Sequence, residues 1–167
     1  MTWWSARLTV EHETADFECG HASLDRWLKE QALRAEEAGV SATTVWTPAR
    51  DSRVIGYYSI APTQVRRDEL PKGTSGGYSS VPGYLLGRLA LDKTLQGQGL
   101  GRQLLLDALE VIITAADHSA GRVIVVDAID AAAATFYEHF GFTQVGDTQR
   151  LALKVATARA ALEGTGP

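Results

Sequence analysis

The chain has little cysteine and no long apolar run, and both shortages narrow what it can be. Cys19 is the only cysteine among 167 residues, so neither an internal disulfide nor a zinc-binding cysteine pair is available, and we expect Cys19 to be a small buried residue. No stretch of eighteen uncharged apolar residues predicts a membrane span. Residues 1–5 lack the basic start and apolar run of a secretory signal, so we expect a cytoplasmic location.

Two common nucleotide-binding motifs are also missing. No glycine is followed by Lys-Ser or Lys-Thr, which a P-loop requires. The dinucleotide pattern Gly-x-Gly-x-x-Gly fails as well, because its last position is Arg102 when read from Gly97 and Leu104 when read from Gly99. The glycines in this region must therefore serve another purpose.

What is present suits one soluble domain. A chain of 167 residues with 45% apolar and 22% charged side chains matches a single packed core in size and composition. Neither an internal repeat nor a linker interrupts it. We therefore predict one domain over residues 1–155, followed by a frayed C-terminal tail over residues 156–167.

The formal net charge of −4 argues against a nucleic-acid partner, but the charge is unevenly distributed. Residues 1–52 carry five basic and nine acidic side chains, residues 53–104 seven and three, and residues 105–167 four and eight. A positive middle between acidic flanks indicates an anionic ligand near that middle. The alternative is an uneven but merely solvated surface.

Periodicity in the first half predicts a strand, a helix and a hairpin. Residues 6–10 alternate like a strand, and a helix follows with Ser23 as its N-cap and Gly39 at its C-terminal end. Residues 43–47 and 54–60 are rich in β-branched and aromatic side chains around a turn. Residues 62–82 lose periodicity and predict a long mobile loop over the substrate side.

The second half alternates between strands and helices. Strands are predicted over residues 84–91, 123–126, 142–145 and 151–155, and helices over 102–116 and 130–140. A strand-helix-strand order implies at least one parallel strand pair. The sequence therefore predicts an α/β fold.

A glycine-rich segment, Gln96-Gly97-Gln98-Gly99-Leu100-Gly101-Arg102, connects the strand over residues 84–91 to the next helix. Glycines let the backbone turn and approach a ligand closely, and a helix N-terminus presents unpaired N–H groups. Arg102 adds a positive charge beside them. These properties suit a pyrophosphate, although a tight strand-to-helix turn would use the same residues.

This segment resembles the acetyl-CoA loop of the GCN5-related N-acetyltransferases (GNAT), Gln/Arg-x-x-Gly-x-Gly/Ala. Two further stretches match the family in order and spacing, Leu89-Ala90-Leu91-Asp92 before the loop and residues 134–142, with Tyr137-x-x-x-Gly141-Phe142, after it. The resemblance implies a single GNAT-type α/β domain, in which helices flank a central mixed, mostly antiparallel sheet with a parallel pair at the acetyl-CoA site. It implies these acetyl-CoA-binding residues: Leu89, Ala90, Leu91, Gln96, Gly97, Gln98, Gly99, Leu100, Gly101, Arg102, Ala133 and Phe136.

A narrower likeness is to the acetyltransferase toxins of type II toxin–antitoxin systems. It is carried by residues 17–20, 24–28, 56–58, 87–92 and 126–128 together with Phe136-Tyr137. The likeness implies acetylation of the free amine of aminoacyl-tRNA, which stops translation, a ribbon-helix-helix antitoxin as partner, and a homodimer. The basic residues predicted to bind this substrate are Lys29, Arg34, Arg66, Arg67 and Arg88, with Lys72 as a further loop candidate.

Tyr137, in a stretch that carries the resemblance, is the candidate catalytic residue, a general acid toward the departing CoA thiolate. The ordinary pKa of a phenol is about 10 and that of a thiol about 8.5, which makes full proton transfer uphill by about 2 kcal/mol, so we expect Tyr137 to act as a hydrogen-bond donor. The alternative is a core tyrosine packed beside Phe136 and Phe140. No general base stands out, with Glu138 or a water as candidates, and an α-amine of pKa about 7.7–8.0 needs one less than a lysine does.

The four histidines, His12, His21, His118 and His139, share no spacing with carboxylates that would indicate a metal site, and we expect none. Two other functions fit the same residues. The chain could acetylate a protein N-terminus or a small amine, which the acidic flanks would attract. It could also be an inactive module that binds acetyl-CoA or an antitoxin.

Overall fold

A computed structural model of the chain describes residues 2–164. Within this range the strands are β1 (Trp3–Arg7), β2 (Ala42–Pro48), β3 (Gly56–Arg66), β4 (Ser80–Leu91), β5 (Val123–Asp127), β6 (Thr143–Gln144) and β7 (Arg150–Lys154). The α-helices are α1 (Ala22–Glu30), α2 (Ala32–Ala38), α3 (Leu100–Ser119), α4 (Ala131–His139) and α5 (Val155–Gly164). None of the described helices is both long and apolar enough to cross a membrane.

The strands form one mixed sheet in the order β1-β2-β3-β4-β5-β7-β6. The pairs β1–β2, β2–β3, β5–β7 and β6–β7 are antiparallel. The pair β4–β5 is parallel, with Gly83 opposite Val123 and Leu85 opposite Val125. The predicted α/β class, with a mostly antiparallel sheet and a parallel pair, is confirmed.

The described residues cluster into two compact units. The first contains the residues up to Ala61 together with Gly87–Ala108. Its core joins Leu28 of α1 and Ala32 of α2 to Val45 of β2 and Tyr57 of β3. Apolar side chains three or four residues apart on the helices thus meet the inward side chains of the strands.

The second unit contains Pro62–Leu86 and the described residues from Leu109 onward. Its core includes Val81 of β4, Val123 and Val125 of β5, and Ala152 of β7. The four residues Val123–Val126 of β5 are all buried, as a strand covered on both faces requires.

The predicted hairpin is confirmed, whereas the first strand is misplaced. β2 and β3 pair antiparallel, with Val45 opposite Tyr57. The strand predicted over residues 6–10 is instead β1, which pairs with β2 from Trp3 to Arg7. The ring of Trp3 stacks on Trp46 at a centroid distance of 4.3 Å, while Val10 is 74% exposed, so aromatic packing fixes the strand earlier than alternation predicts.

The single predicted helix from Ser23 to Gly39 is two helices. α1 begins one residue before Ser23, with His21 at the N-cap position, so the prediction of Ser23 as N-cap is wrong. Gln31, with φ −120° and ψ −33°, separates α1 from α2. Gly39 ends α2 in the left-handed conformation at φ 71°, as predicted.

Two segments predicted to lack regular structure are ordered elements. β3 extends to Arg66 and β4 begins at Ser80, so the predicted loop over 62–82 shortens to residues 67–79. Within it Thr74 and Ser75 are buried, and the Arg122 side chain donates to the Thr74 carbonyl at 2.9 Å. The predicted frayed tail is wrong for residues 156–164, because α5 buries Val155 and Ala158; residues 165–167 lie outside the described residues.

Candidate active site

The end of β4 leads directly into the predicted acetyl-CoA loop within the first unit. Ala90 and Leu91 are buried and Leu89 is half-buried. A turn of 3-10 helix over Lys93–Leu95 follows, and α3 begins at Leu100 rather than at Arg102. The N–H groups of the first turn of α3, including those of Leu100, Gly101 and Arg102, have no partner within the helix and are available to an anion.

Gln96 fixes the loop to the protein's own backbone. Its side-chain amide donates to the carbonyl of Leu91 at 2.9 Å and to that of Cys19 at 2.7 Å. Both amide hydrogens are thus used, so any hydrogen bond that Gln96 donates to a ligand must come from its backbone N–H. The side chain of Gln96 positions the loop against β4 and the segment before α1.

Asp92 braces the same loop, and sequence reasoning missed its role. Its carboxylate accepts from the backbone N–H of Thr94 at 3.1 Å, from the Thr94 hydroxyl at 2.8 Å and from the Glu18 N–H at 3.2 Å. Burial disfavours the charge of Asp92, but these hydrogen bonds outweigh it and hold its pKa below the usual value. The Asp-x-Thr spacing, typical of a capped turn, was the available signal.

Two glycines of the loop, Gly97 and Gly99, have left-handed backbones and open space. Gly97 has φ 80° and Gly99 has φ 78°, and a Cβ atom built on either would meet no described atom within 4 Å. Glycine is therefore required by the backbone conformation rather than by crowding. The Gln98 side chain donates to the Thr94 carbonyl at 3.4 Å, and Arg102 is exposed. An open, cationic strand-to-helix turn of this kind fits a pyrophosphate.

Tyr137 lies on α4 in the second unit, held by aromatic packing. Its ring meets those of Phe136 and Phe142 edge to face, each at a centroid distance of 5.4 Å. The side chain is 7% exposed, and its hydroxyl makes no hydrogen bond to a described residue. Burial raises the pKa of Tyr137 well above its ordinary value, so the phenol stays protonated and keeps a hydrogen that it can donate.

Two residues predicted to bind the cofactor precede Tyr137 on α4. Ala133 and Phe136 are both half-buried. The Ala133 N–H donates to the Asp130 carboxylate at 2.8 Å, which caps the helix. That N–H is therefore occupied, while Phe136 also packs against Phe140 at 5.0 Å.

The residues predicted to bind the acceptor differ in whether they form ion pairs with carboxylates. Lys29 on α1, Arg34 on α2 and Arg67 are exposed and form no ion pair with a described residue, and the same is true of Lys72. Arg66 is engaged, since its guanidinium pairs with Asp68 at 3.2 Å and Glu69 at 3.5 Å.

Arg88 on β4 is half-buried, and its Cζ atom lies 3.9 Å from the centroid of the Trp27 ring. Burial lowers the pKa of its guanidinium, yet an arginine stays charged in proteins. Sequence reasoning missed the contact with Trp27, because the two residues are far apart in the chain.

The environments of Cys19 and His12 indicate structural rather than catalytic roles. Cys19 is buried, which raises the pKa of its thiol to about 11, so it is not a reactive nucleophile. The ring of His12 accepts from the Thr9 N–H at 3.0 Å. Among residues 2–164, no three side chains of His, Cys, Asp or Glu come together in a way that could hold a metal ion.

Comparison with known proteins identifies the family. The acetyltransferase (GNAT) domain family matches the chain over residues 13–152. A protein of Mycobacterium tuberculosis (strain ATCC 25618 / H37Rv) named tRNA-acetylating toxin is 37% identical over 164 residues, which is 96% of this chain and 98% of that protein. The chain belongs to the GNAT acetyltransferase family.

Solved structures of the toxin AtaT are similar over nearly the whole chain. AtaT complexed with acetyl-methionyl-tRNAfMet has a TM-score of 0.88 and 25% identity, covering 96% of this chain and 99% of that chain. AtaTR bound with acetyl-CoA has a TM-score of 0.85 and 26% identity, covering 96% and 98%. A mutant AtaT toxin bound to the C-terminus of the antitoxin AtaR has a TM-score of 0.83 and 25% identity, covering 95% and 97%.

Proposed function

We propose that this GNAT enzyme is a toxin that transfers an acetyl group from acetyl-CoA to the α-amine of aminoacyl-tRNA and so blocks translation. The observation that carries the proposal is the 37% identity, over 96% of the chain, to a protein named tRNA-acetylating toxin. The AtaT complex with an acetylated methionyl-tRNA supports the same acceptor class.

Acetyl-CoA is held by backbone groups in this proposal. The N–H groups at the start of α3 and the open glycines of the loop receive the pyrophosphate, with Arg102 beside them. Leu89–Leu91 offer N–H and C=O groups to the pantetheine arm. One N–H directed at the thioester oxygen stabilises the negative charge that develops there.

Tyr137 assists the departure of the thiol. The acceptor amine forms a bond to the acetyl carbon, the carbon–sulfur bond breaks, and the sulfur takes up the electron pair. Because burial raises the pKa of Tyr137, its hydroxyl is protonated at any physiological pH and donates a hydrogen bond to the sulfur. The amine loses one proton to water as the amide forms, and the sulfur takes up one proton from water, so the net products are an N-acetylaminoacyl-tRNA and CoA as the free thiol.

The acceptor supplies its own reactive form. An α-amine with a pKa of about 7.7–8.0 is partly neutral near pH 7, so attack requires no strong base. Lys29, Arg34, Arg67 and Arg88 attract the RNA backbone, with Arg66 contributing less because Asp68 and Glu69 already neutralise it.

The likeness to the acetyltransferase toxins of type II systems extends the proposal to the partners. A ribbon-helix-helix antitoxin neutralises the enzyme, the active form is a homodimer, and both act in the cytoplasm, where translation takes place. The structure of mutant AtaT with the C-terminus of its antitoxin supports an antitoxin partner. The enzymatic domain is taken as residues 1–155.

Incubation with labelled acetyl-CoA and three acceptor pools tests the proposal. The pools are charged total tRNA, the same tRNA after mild alkaline deacylation, and a panel of polyamines, aminoglycosides and N-terminal peptides. Label in the charged pool alone supports the proposal. Label on small amines or peptides alone would overturn the proposed acceptor. Binding of acetyl-CoA without transfer to any pool would overturn the proposal that the protein is an active enzyme.

A further inference from the structure

Arg88 is a half-buried cation for which the described residues supply no anion. Its guanidinium carbon lies 3.9 Å from the Trp27 ring centroid, and no carboxylate among residues 2–164 pairs with it. Withdrawing a charge from water costs free energy unless a partner compensates, and a ring face compensates only in part. Two arginines on other strands, Arg66 at the end of β3 and Arg150 at the start of β7, both have carboxylate partners.

The ring of Trp27 is itself held in place by Tyr57, on which it stacks. Its ring is nearly parallel to that of Tyr57, with 14° between the planes and 6.0 Å between centroids. Tyr57 is fully buried, and its hydroxyl donates to the Leu24 carbonyl of α1 at 2.7 Å. An edge contact with Phe17 at 5.6 Å completes the support. The indole is therefore a fixed surface on which a planar guanidinium is oriented.

A guanidinium lying against an aromatic ring still has N–H donors at its edge. Two such donors match two oxygens of a phosphate, which is the bidentate geometry that favours arginine over lysine. The structure thus orients a fork of donors and supplies no acceptor for it among the described residues.

The position of Arg88 along β4 indicates whether such a phosphate belongs to the cofactor or to the acceptor. In the proposed function the pyrophosphate of acetyl-CoA lies at residues 96–102, and the pantetheine runs back along Leu91 to Leu89. Arg88 stands at the other end of that segment, about 10 Å from Leu91 at about 3.3 Å per residue. It therefore lies towards the acetyl end, where the acceptor must arrive, and away from the cofactor phosphates.

We propose that Arg88 binds a backbone phosphate of the RNA acceptor and that Trp27 is the positioning residue that orients its guanidinium. This inference rests on the proposed function, since it presupposes an RNA acceptor. To the attraction already assigned to Arg88 it adds a specific phosphate contact and the residue that orients it.

Binding of deacylated total tRNA to the full-length protein, measured over a range of salt concentrations, tests the inference without requiring transfer. Arg88→Gln is expected to weaken binding about tenfold and to reduce the slope of log K against log salt by about one, the signature of one lost phosphate contact. Trp27→Leu is expected to weaken binding several-fold while the charge and the slope are kept. Trp27→Phe, which retains a ring, is expected to restore affinity.

The double variant Arg88→Gln/Trp27→Leu separates positioning from folding. If Trp27 acts through Arg88, the double variant binds no worse than Arg88→Gln alone. Arg159→Gln, which removes one positive charge from α5, serves as the control and is expected to bind like the wild type. Additive losses in the double variant would overturn the role of Trp27.

Direct titration with acetyl-CoA decides the source of the phosphate. Unchanged acetyl-CoA affinity in Arg88→Gln supports the inference, and a tenfold loss would assign the phosphate to the cofactor and overturn it. Wild-type protein that acetylates aminoacyl-tRNA while Arg88→Gln binds tRNA normally refutes this inference alone. Wild-type protein that transfers acetyl only to small amines refutes the proposed function and this inference with it.

Discussion

The proposed acetyl-CoA loop and the Tyr137 region are held in place by different interactions. In the first unit, hydrogen bonds fix the loop. Gln96 donates to the carbonyls of Leu91 and Cys19. Asp92 accepts from the N–H groups of Thr94 and Glu18. In the second unit, Tyr137 is fixed by the rings of Phe136 and Phe142, and its hydroxyl makes no hydrogen bond to a described residue.

This difference separates binding from chemistry. A loop whose backbone is fixed by its own protein can present N–H groups to a ligand without rearrangement, which favours affinity. A tyrosine whose ring is fixed while its hydroxyl is unpaired keeps its donor for a reacting group. Changes in the loop should therefore affect cofactor affinity, and removal of the hydroxyl should affect turnover.

Tyr137→Phe tests the role of the Tyr137 hydroxyl in the chemical step, and it has the largest expected effect. Removal of the donor is expected to lower kcat by about 100-fold, because general-acid assistance contributes about that much. Acetyl-CoA affinity by calorimetry should stay within about twofold of the wild-type value, and the thermal midpoint should be unchanged because no hydrogen bond is lost. Unchanged kcat would remove Tyr137 from the mechanism.

Gly99→Ala tests the binding half, and Gly39→Ala is its matched control. Both glycines have positive φ, 78° and 71°, and both have open space at the Cβ position, so the backbone strain is alike. Gly99→Ala is expected to weaken acetyl-CoA binding about tenfold, since strain displaces the N–H groups at the start of α3. Gly39→Ala should lose similar stability with full cofactor affinity, and equal affinity losses would contradict the account.

Asp107→Ala tests the support of the helix that follows the loop. One oxygen of Asp107 on α3 accepts from the Ser5 hydroxyl at 2.8 Å, the Tyr58 hydroxyl at 3.0 Å and the Trp46 indole N–H at 3.2 Å. Its loss leaves buried donors unpaired and is expected to lower the free energy of unfolding by about 3 kcal/mol. Asp107→Asn, which keeps an acceptor oxygen, should lose less in denaturant titrations, and equal losses would show that the charge matters more than the acceptor.

Glu36→Gln probes an ion pair that belongs to neither region and has the smallest expected effect. The hydrogen bond from Arg7 holds the pKa of Glu36 below its usual value, so the pair stabilises the fold above about pH 4.3 and is lost as the pH falls through the lowered pKa. Because Arg7 is 61% exposed, the variant should lose only about 1 kcal/mol at pH 7.

Unfolding curves of Glu36→Gln and wild-type protein should converge in acid. An energy difference that persists at pH 2 would show that Glu36 acts through packing rather than through its charge. Cofactor affinity and kcat should be unchanged at pH 7, which makes this variant a reference for the preceding three.

Local pattern was sufficient for much of the fold and the loop. The β-branched runs predicted the hairpin of β2 and β3, and the strand-helix-strand order of the second half predicted at least one parallel pair, which is β4 with β5. The family pattern located Gln96 and the glycines, although the structure shows that the side chain of Gln96 positions the loop. Whether the predicted residues contact acetyl-CoA stays a prediction.

Long-range contacts account for what local pattern missed. The three donors to Asp107 lie 102, 61 and 49 residues away in sequence, and no spacing rule connects them. The stacking of Trp3 on Trp46 accounts for a β1 that begins earlier than predicted. Burial of Val155 and Ala158 accounts for α5 where a frayed tail was predicted. In each case tertiary packing outweighed a weak local preference.

The most direct test of the central claim is the chemical position of the transferred acetyl group. Charged tRNA is treated with the enzyme and acetyl-CoA, digested with a nuclease that releases the 3′ aminoacyl-adenosine, and examined by mass spectrometry. The account predicts aminoacyl-adenosine with one acetyl group on its α-amine, formed by wild-type protein and about 100-fold more slowly by Tyr137→Phe. Unmodified aminoacyl-adenosine, under conditions in which the same protein acetylates a small amine, would contradict it.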